Sequence, residues 1–217
     1  MTDIFNEVDE EVRREQLKKL WDRYGTYFIA LCVLVVVGVA AWRGDEWWQG
    51  QQAEKSGAAF EQAVELAEAG KHQQAEAAFA KLATDGTAGY RSLAKLRQAA
   101  ELAPTERTAA VKGYDTIAAD AGQPQVIRDL AAVRAGYLLV DSAPYSELLS
   151  RLEPLTAPDR TFRYSAQEIL ALSAWKARDM TGARKWTDLI MADPLSPAGT
   201  RSRAQVLSEL IAASKKG

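Results

Sequence analysis

Side chains able to do acid–base or nucleophilic chemistry are few and scattered along this chain of 217 residues. It holds one His and one Cys, so it can assemble neither a disulfide framework nor a Cys/His zinc site. A serine-type triad could draw only on His72, in Gly70-Lys71-His72-Gln73-Gln74, a polar stretch that reads as a solvated turn at a helix start. Cys32 lies inside an uncharged run, where a thiol packs as a small apolar group. Glu61, Glu65 and Glu68 share a helical face and superficially suggest metal ligands, but a row of acids on a surface helix is ordinarily solvated. Gly86-Thr87-Ala88-Gly89 is too short to cradle a phosphate. The expectation is a chain without enzymatic activity, cofactor or metal.

The elements that would have to carry any chemistry are helices. Ala supplies 39 residues against 14 Gly and 7 Pro, a bias toward helix because Ala loses no side-chain entropy on entering one. A hydrophobic fraction of 47% and a charged fraction of 26% exclude wholesale disorder. A formal charge of −2 and a pI near 5.6 argue against a nucleic-acid partner.

One segment breaks the average. Nineteen residues, Tyr24 to Trp42, carry no charge. As a helix they extend roughly 28 Å, close to the roughly 30 Å hydrocarbon core of a bilayer. Tyr24 and Tyr27 at one end, and Trp42, Trp47 and Trp48 at the other, suit the two headgroup levels. A cleaved signal peptide would show a short basic region before its apolar core, whereas 23 residues with seven acids precede this one. A buried soluble helix would need apolar surroundings that the rest of the chain lacks. The expected division is therefore a tail over 1–23, a transmembrane helix over 24–42 in contact with lipid, and a domain over 43–217.

Basic residues set the expected orientation. Arg13, Arg14, Lys18, Lys19 and Arg23 precede the span, against Arg43 and Lys55 in the fifteen residues after it. That bias keeps the N-terminus cytoplasmic and exports the domain. Within the tail Leu17, Leu20, Trp21 and Tyr24 follow the i, i+3, i+4, i+7 spacing of one helical face. Such a face either continues a helix into the membrane or docks a partner.

Beyond Gln49 the apolar residues recur at helical spacing, and Gly, Pro and Asp-Gly breakers cut the chain every 12–22 residues. The spacing predicts helices over 47–69, 72–84, 88–103, 105–120, 124–140, 144–156, 162–178, 181–192 and 197–214. Superposition exposes a period. Ala75, Phe79 and Leu82 are spaced 0, +4, +7, as are Ala110, Tyr114 and Ile117, then Leu148, Leu152 and Leu155, then Ala183, Thr187 and Ile190. The leading residues step by 35, 38 and 35. This resembles the second helix of the tetratricopeptide repeat, in which a small residue admits a neighbouring helix and two larger ones fill the gap. Gly136 falls at the small position of a first helix. The fold class expected is all-α, a single N-terminal transmembrane helix followed by a tetratricopeptide-like solenoid of helical hairpins, with an irregular helical bundle as the alternative. A polar-faced final helix, with Arg201, Arg203, Glu209, Lys215 and Lys216, would cap it.

The order of parts, with Glu15-Gln16-Leu17-Lys18-Lys19-Leu20-Trp21-Asp22-Arg23-Tyr24-Gly25 abutting one span and degenerate repeats behind it, resembles the bacterial ancillary subunit of the Sec translocon, the YfgM-like family. The resemblance implies an inner-membrane protein with its domain in the periplasm. It also implies association with the translocon and with a membrane-anchored periplasmic foldase or chaperone, in support of newly exported client proteins. A related reading is a scaffold for cell-envelope assembly or division proteins, which would need only an anchor and not a basic aromatic tail. On the repeat superposition Lys95, Tyr137, Glu168 and Trp175 occupy candidate groove positions, where an aromatic beside charge suits extended chains. The alternative is that Tyr137 and Trp175 pack between helices, as Trp186 is expected to do.

Overall fold

The structure is a computed structural model that describes the backbone of residues 3–214 and the side chains of Lys18 and of residues 21–214. Regular structure among these residues is helical, and none of them forms a strand. The helices are α1 (Asp3–Glu68), α2 (His72–Asp85), α3 (Ala88–Leu102), α4 (Arg107–Ala119), α5 (Gln125–Leu139), α6 (Tyr145–Leu152), α7 (Arg163–Lys176), α8 (Met180–Ala192) and α9 (Ala198–Ala213). Two compact units divide the chain, Met1–Glu54 and Lys55–Gly217.

The first unit is helical throughout its described backbone. Its apolar stretch has a mean hydropathy of 2.2 and is almost entirely exposed, which makes it a candidate membrane span. Gly25 is buried beneath the Trp21 indole, whose ring lies 3.2 Å from where a Cβ would stand. The Val-rich run from Val33 to Val39 would handicap a helix in water, whereas in lipid a helix is the form that satisfies every backbone group. Where separate helices over 24–42 and 47–69 were expected, α1 runs through both. Gly44 and Gly50 face open space and cost a helix about 1 kcal/mol each, which does not end it, and the first Pro is Pro104.

In the second unit the 0, +4, +7 positions do what the repeat requires. All twelve residues, from Ala75 through Ile190, are buried. Nine of them belong to three apolar clusters in chain order. Phe79 and Leu82 pack with Ala63 and Ala94; Tyr114 and Ile117 with Leu96, Ala131 and Ala135; Leu148, Leu152 and Trp186 with Ile169, Leu170 and Ile211. At Gly136 a Cβ would come within 2.8 Å of the Leu152 Cδ1 and 3.3 Å of the Ile169 Cδ1, so those side chains pack closely against the bare backbone there.

Helix ends follow local chemistry. Asp179 caps α8, its carboxylate accepting from the Gly182 N–H at 2.9 Å. Thr105 precedes α4 without capping it, since that helix begins after Glu106 with no side-chain cap. The segment expected over 144–156 divides into α6 and a 3₁₀ turn over Glu153–Thr156, because Pro154 has no N–H to continue the α ladder. The last helix buries Thr200, Ala204, Leu207 and Ile211 and exposes Arg203 and Glu209 as a cap should, although Val206 and Leu210 are exposed beside them. Lys215 and Lys216 lie outside the described residues.

Two hairpin turns are built alike. Gly70 (φ 72°) donates to the Ala67 carbonyl and Lys71 to that of Leu66; Arg178 (φ 62°) donates to Trp175 and Asp179 to Ala174. Both are left-handed helix stops, and one places an arginine where glycine is at ease. Arg178→Gly is expected to raise stability by about 0.5–1 kcal/mol, read as a higher denaturation midpoint, and Gly70→Ala to lower it by a similar amount.

Candidate functional site

The candidate groove residues come from the first helices of the repeats, and the structure joins some of them. Glu168 on α7 is buried and bound by Arg203 of α9, whose Nη2 donates to Oε2 at 2.9 Å while Nε donates to Oε1. The Tyr137 hydroxyl on α5 donates to the same Oε2 at 3.5 Å. Burial first, and then the Glu168 charge, raise the Tyr137 phenol above its ordinary pKa; the bond to Glu168 raises that of Arg203 further above its already high value. Trp175, two turns beyond Glu168, lies on the same face of α7. Tyr137 is 41% and Trp175 37% exposed, so neither is wholly packed between helices.

Lys95 stands apart. Its Nζ is 3.9 Å from the Asp120 carboxylate, and together they flank a cavity of about 250 Å³ between α3 and α4, over Gly113 and Ile117. Asp120 is held below the usual carboxylate range by the Gln123 side chain and the Gly122 N–H. In the tail, Leu17 and Leu20 fall outside the described side chains. Trp21 and Tyr24 are exposed, with Arg23 over the Tyr24 ring at 5.8 Å and Trp21 6.2 Å from Phe28.

A larger opening is lined by other residues of α3. A cavity of about 370 Å³ is framed by α3 and α5, with Tyr114 of α4 and Phe60 of α1 completing its walls. Leu93, Leu96 and Leu130 line it, and Arg97 and Arg134 enter it from consecutive first helices. The Tyr114 phenol is pushed up by burial, and the two guanidinium charges pull in the opposite direction. Nothing in the spacing of the sequence singles out this pair, although Arg134 sits one turn before Tyr137 on the same face. His72 is no free turn residue: its Nδ1 lies 2.7 Å from the Glu101 carboxylate and ties the start of α2 to the end of α3. Twenty-nine residues separate them, so only the hairpin reveals the contact.

Among the described residues no group of three or more His, Cys, Asp and Glu side chains could hold a metal ion. The arrangement offers surface for another chain: exposed aromatics, apolar floor and fixed charge. A family model described as a tetratricopeptide repeat-like domain matches residues 18–184. No curated protein and no solved structure matches the chain.

Proposed function

The chain belongs to the tetratricopeptide repeat-like family, and from that premise we propose that it is a non-enzymatic, membrane-anchored accessory of protein export. In this reading the tail over 1–23 is cytoplasmic, residues 24–42 cross the inner membrane, and the domain over 43–217 is periplasmic. The tail and span associate with the Sec translocon. The repeats receive newly exported clients, or a membrane-anchored foldase or chaperone that serves them. The observation that carries this reading is the union, in α1, of an apolar stretch long enough for a bilayer with the first helix of a protein-binding array. Basic residues before that stretch support the orientation. A repeat array supplies binding surface in place of chemistry, and many weak contacts held at a membrane give useful avidity.

Photo-crosslinking in native membranes tests the proposal. Probes at Trp21 and Tyr24 are expected to capture translocon components, and probes at Tyr137 and Trp175 exported chains or a foldase. A reporter fused after Gly217 that works only outside the cytoplasm is expected to be active. Cytoplasmic protease access to the domain would overturn the topology. Crosslinks confined to division or cell-wall proteins would replace export with envelope scaffolding.

A further inference from the structure

We propose that the groove between α3 and α5 docks an extended protein segment carrying an acidic side chain beside a bulky apolar one, the acid seated between Arg97 and Arg134. The inference rests on the protein-binding reading above and specifies the chemistry of the bound segment.

Charge complementarity leads the argument. Arg97 and Arg134 are exposed and line the cavity, and among the described residues neither side chain makes an ion pair or a hydrogen bond. Four other arginines in this unit do pair with a carboxylate: Arg151 with Asp115, Arg160 with Asp129, Arg163 with Asp193 and Arg203 with Glu168. The carboxylate whose field reaches Tyr114, that of Glu101, is engaged by His72. A wholly apolar occupant would strip water from two guanidinium groups and return nothing, which disfavours it. A carboxylate restores those bonds, and Arg is the side chain best shaped to grip one through paired N–H donors.

The bed beneath the charges selects the rest of the ligand. Leu93 remains 43% exposed at the rim, and Leu96, Ala100, Leu130 and Phe60 present carbon to the interior. A cavity of about 370 Å³ with such walls takes a large apolar side chain. The two arginines belong to successive first helices, and the face carrying Arg134 continues to Tyr137 and on to Glu168. Glu168 is matched by Arg203, so this continuation adds no uncompensated negative charge against an acidic ligand. A linear chain crossing successive repeats fits that layout better than an anionic lipid, whose single headgroup would engage the arginines without following the face.

Binding to the full-length chain in detergent micelles tests this. The probe is a fluorescent Gly/Ser-flanked Leu-Asp-Phe-Glu peptide, compared with its Leu-Asn-Phe-Gln and Leu-Lys-Phe-Lys counterparts. The acidic peptide is expected to bind about tenfold more tightly than the amide version, in keeping with two charge-assisted contacts. The double variant Arg97→Glu, Arg134→Glu is expected to reverse the order in favour of the lysine peptide while leaving helicity unchanged. Equal affinity of the acidic and amide peptides for the wild-type chain, or no reversal in a folded variant, would overturn the inference. So would loss of the acid preference together with competition by phosphatidylglycerol vesicles, which would assign the arginines to lipid. An acid preference with no crosslinks to export components would sink the export reading and leave this one standing; the converse result would sink this one alone.

Discussion

Trp186→Ala is expected to destabilise the repeat domain by about 4 kcal/mol, among the largest effects of any single truncation in the chain. The indole is 2% exposed and belongs to the apolar cluster that joins α5 to α9. It is also tied polar end to polar end, with Nε1 donating to the Tyr145 hydroxyl at 2.9 Å and the Lys185 ammonium 4.2 Å from the ring centroid. Truncation therefore opens a cavity among fully buried neighbours that cannot close over it and deprives Tyr145 of its donor. Trp186→Phe separates the two losses. It keeps most of the apolar volume, and half-buried Tyr145 regains water, so a cost of about 1–2 kcal/mol is expected. Chemical denaturation of the full chain in detergent, followed by far-ultraviolet circular dichroism, measures both. Equal stability of the Ala variant and the wild type would show that the cluster does not depend on the indole.

Gly136→Leu is expected to cost about 3 kcal/mol by the opposite route, overfilling. The first added carbon already meets Leu152 at 2.8 Å and Ile169 at 3.3 Å, and both of those side chains are fully buried. They have no empty space to swing into, so the helices must part. Gly136→Ala balances a smaller clash against a gain of about 1 kcal/mol in helix propensity and should lie near neutral. Gly89 is the control: nothing lies within 4 Å of its would-be Cβ, and Gly89→Leu is expected within about 0.5 kcal/mol of the wild type. A Gly136→Leu protein as stable as that control would show that α5 is held less closely than the structure has it.

Most of the fold could be read before any coordinates, because repeats write their packing into periodic sequence. Ala110, Tyr114 and Ile117 declare one buried stripe; that the same three steps recur at 75, 148 and 183 declares an array. Breakers located nearly every helix end within about three residues, since Pro and Gly act through the backbone they occupy. Misreadings arose where a local signal was weak or a partner was remote. Isolated Gly44 and Gly50 do not divide α1, and Pro154 splits one expected helix through the loss of a single N–H. The candidate surface was less legible. Tyr137 and Glu168 do meet, but the Glu168 bond to Arg203 links residues 35 apart and reaches a helix expected only as a cap. Arg97 and Arg134 resemble any other solvated arginines until two helices bring them to one cavity.

The three apolar clusters succeed one another along the chain, from Ala63–Ala94, through Leu96–Ala135, to Val133–Ile211. In the second unit the helices in substantial contact are neighbours or next-neighbours in sequence. That arrangement bears on the order of assembly. A growing polypeptide appears N-terminus first, and here the residues that complete α2 and α3 are already present when α4 has yet to be made. Short loop closures let the early hairpins settle on their predecessors, while the last cluster, which spans α5 to α9, is completed only by the final helix. Such a domain can fold at the pace of its own delivery, with exposed apolar surface confined at any moment to the cluster still being completed.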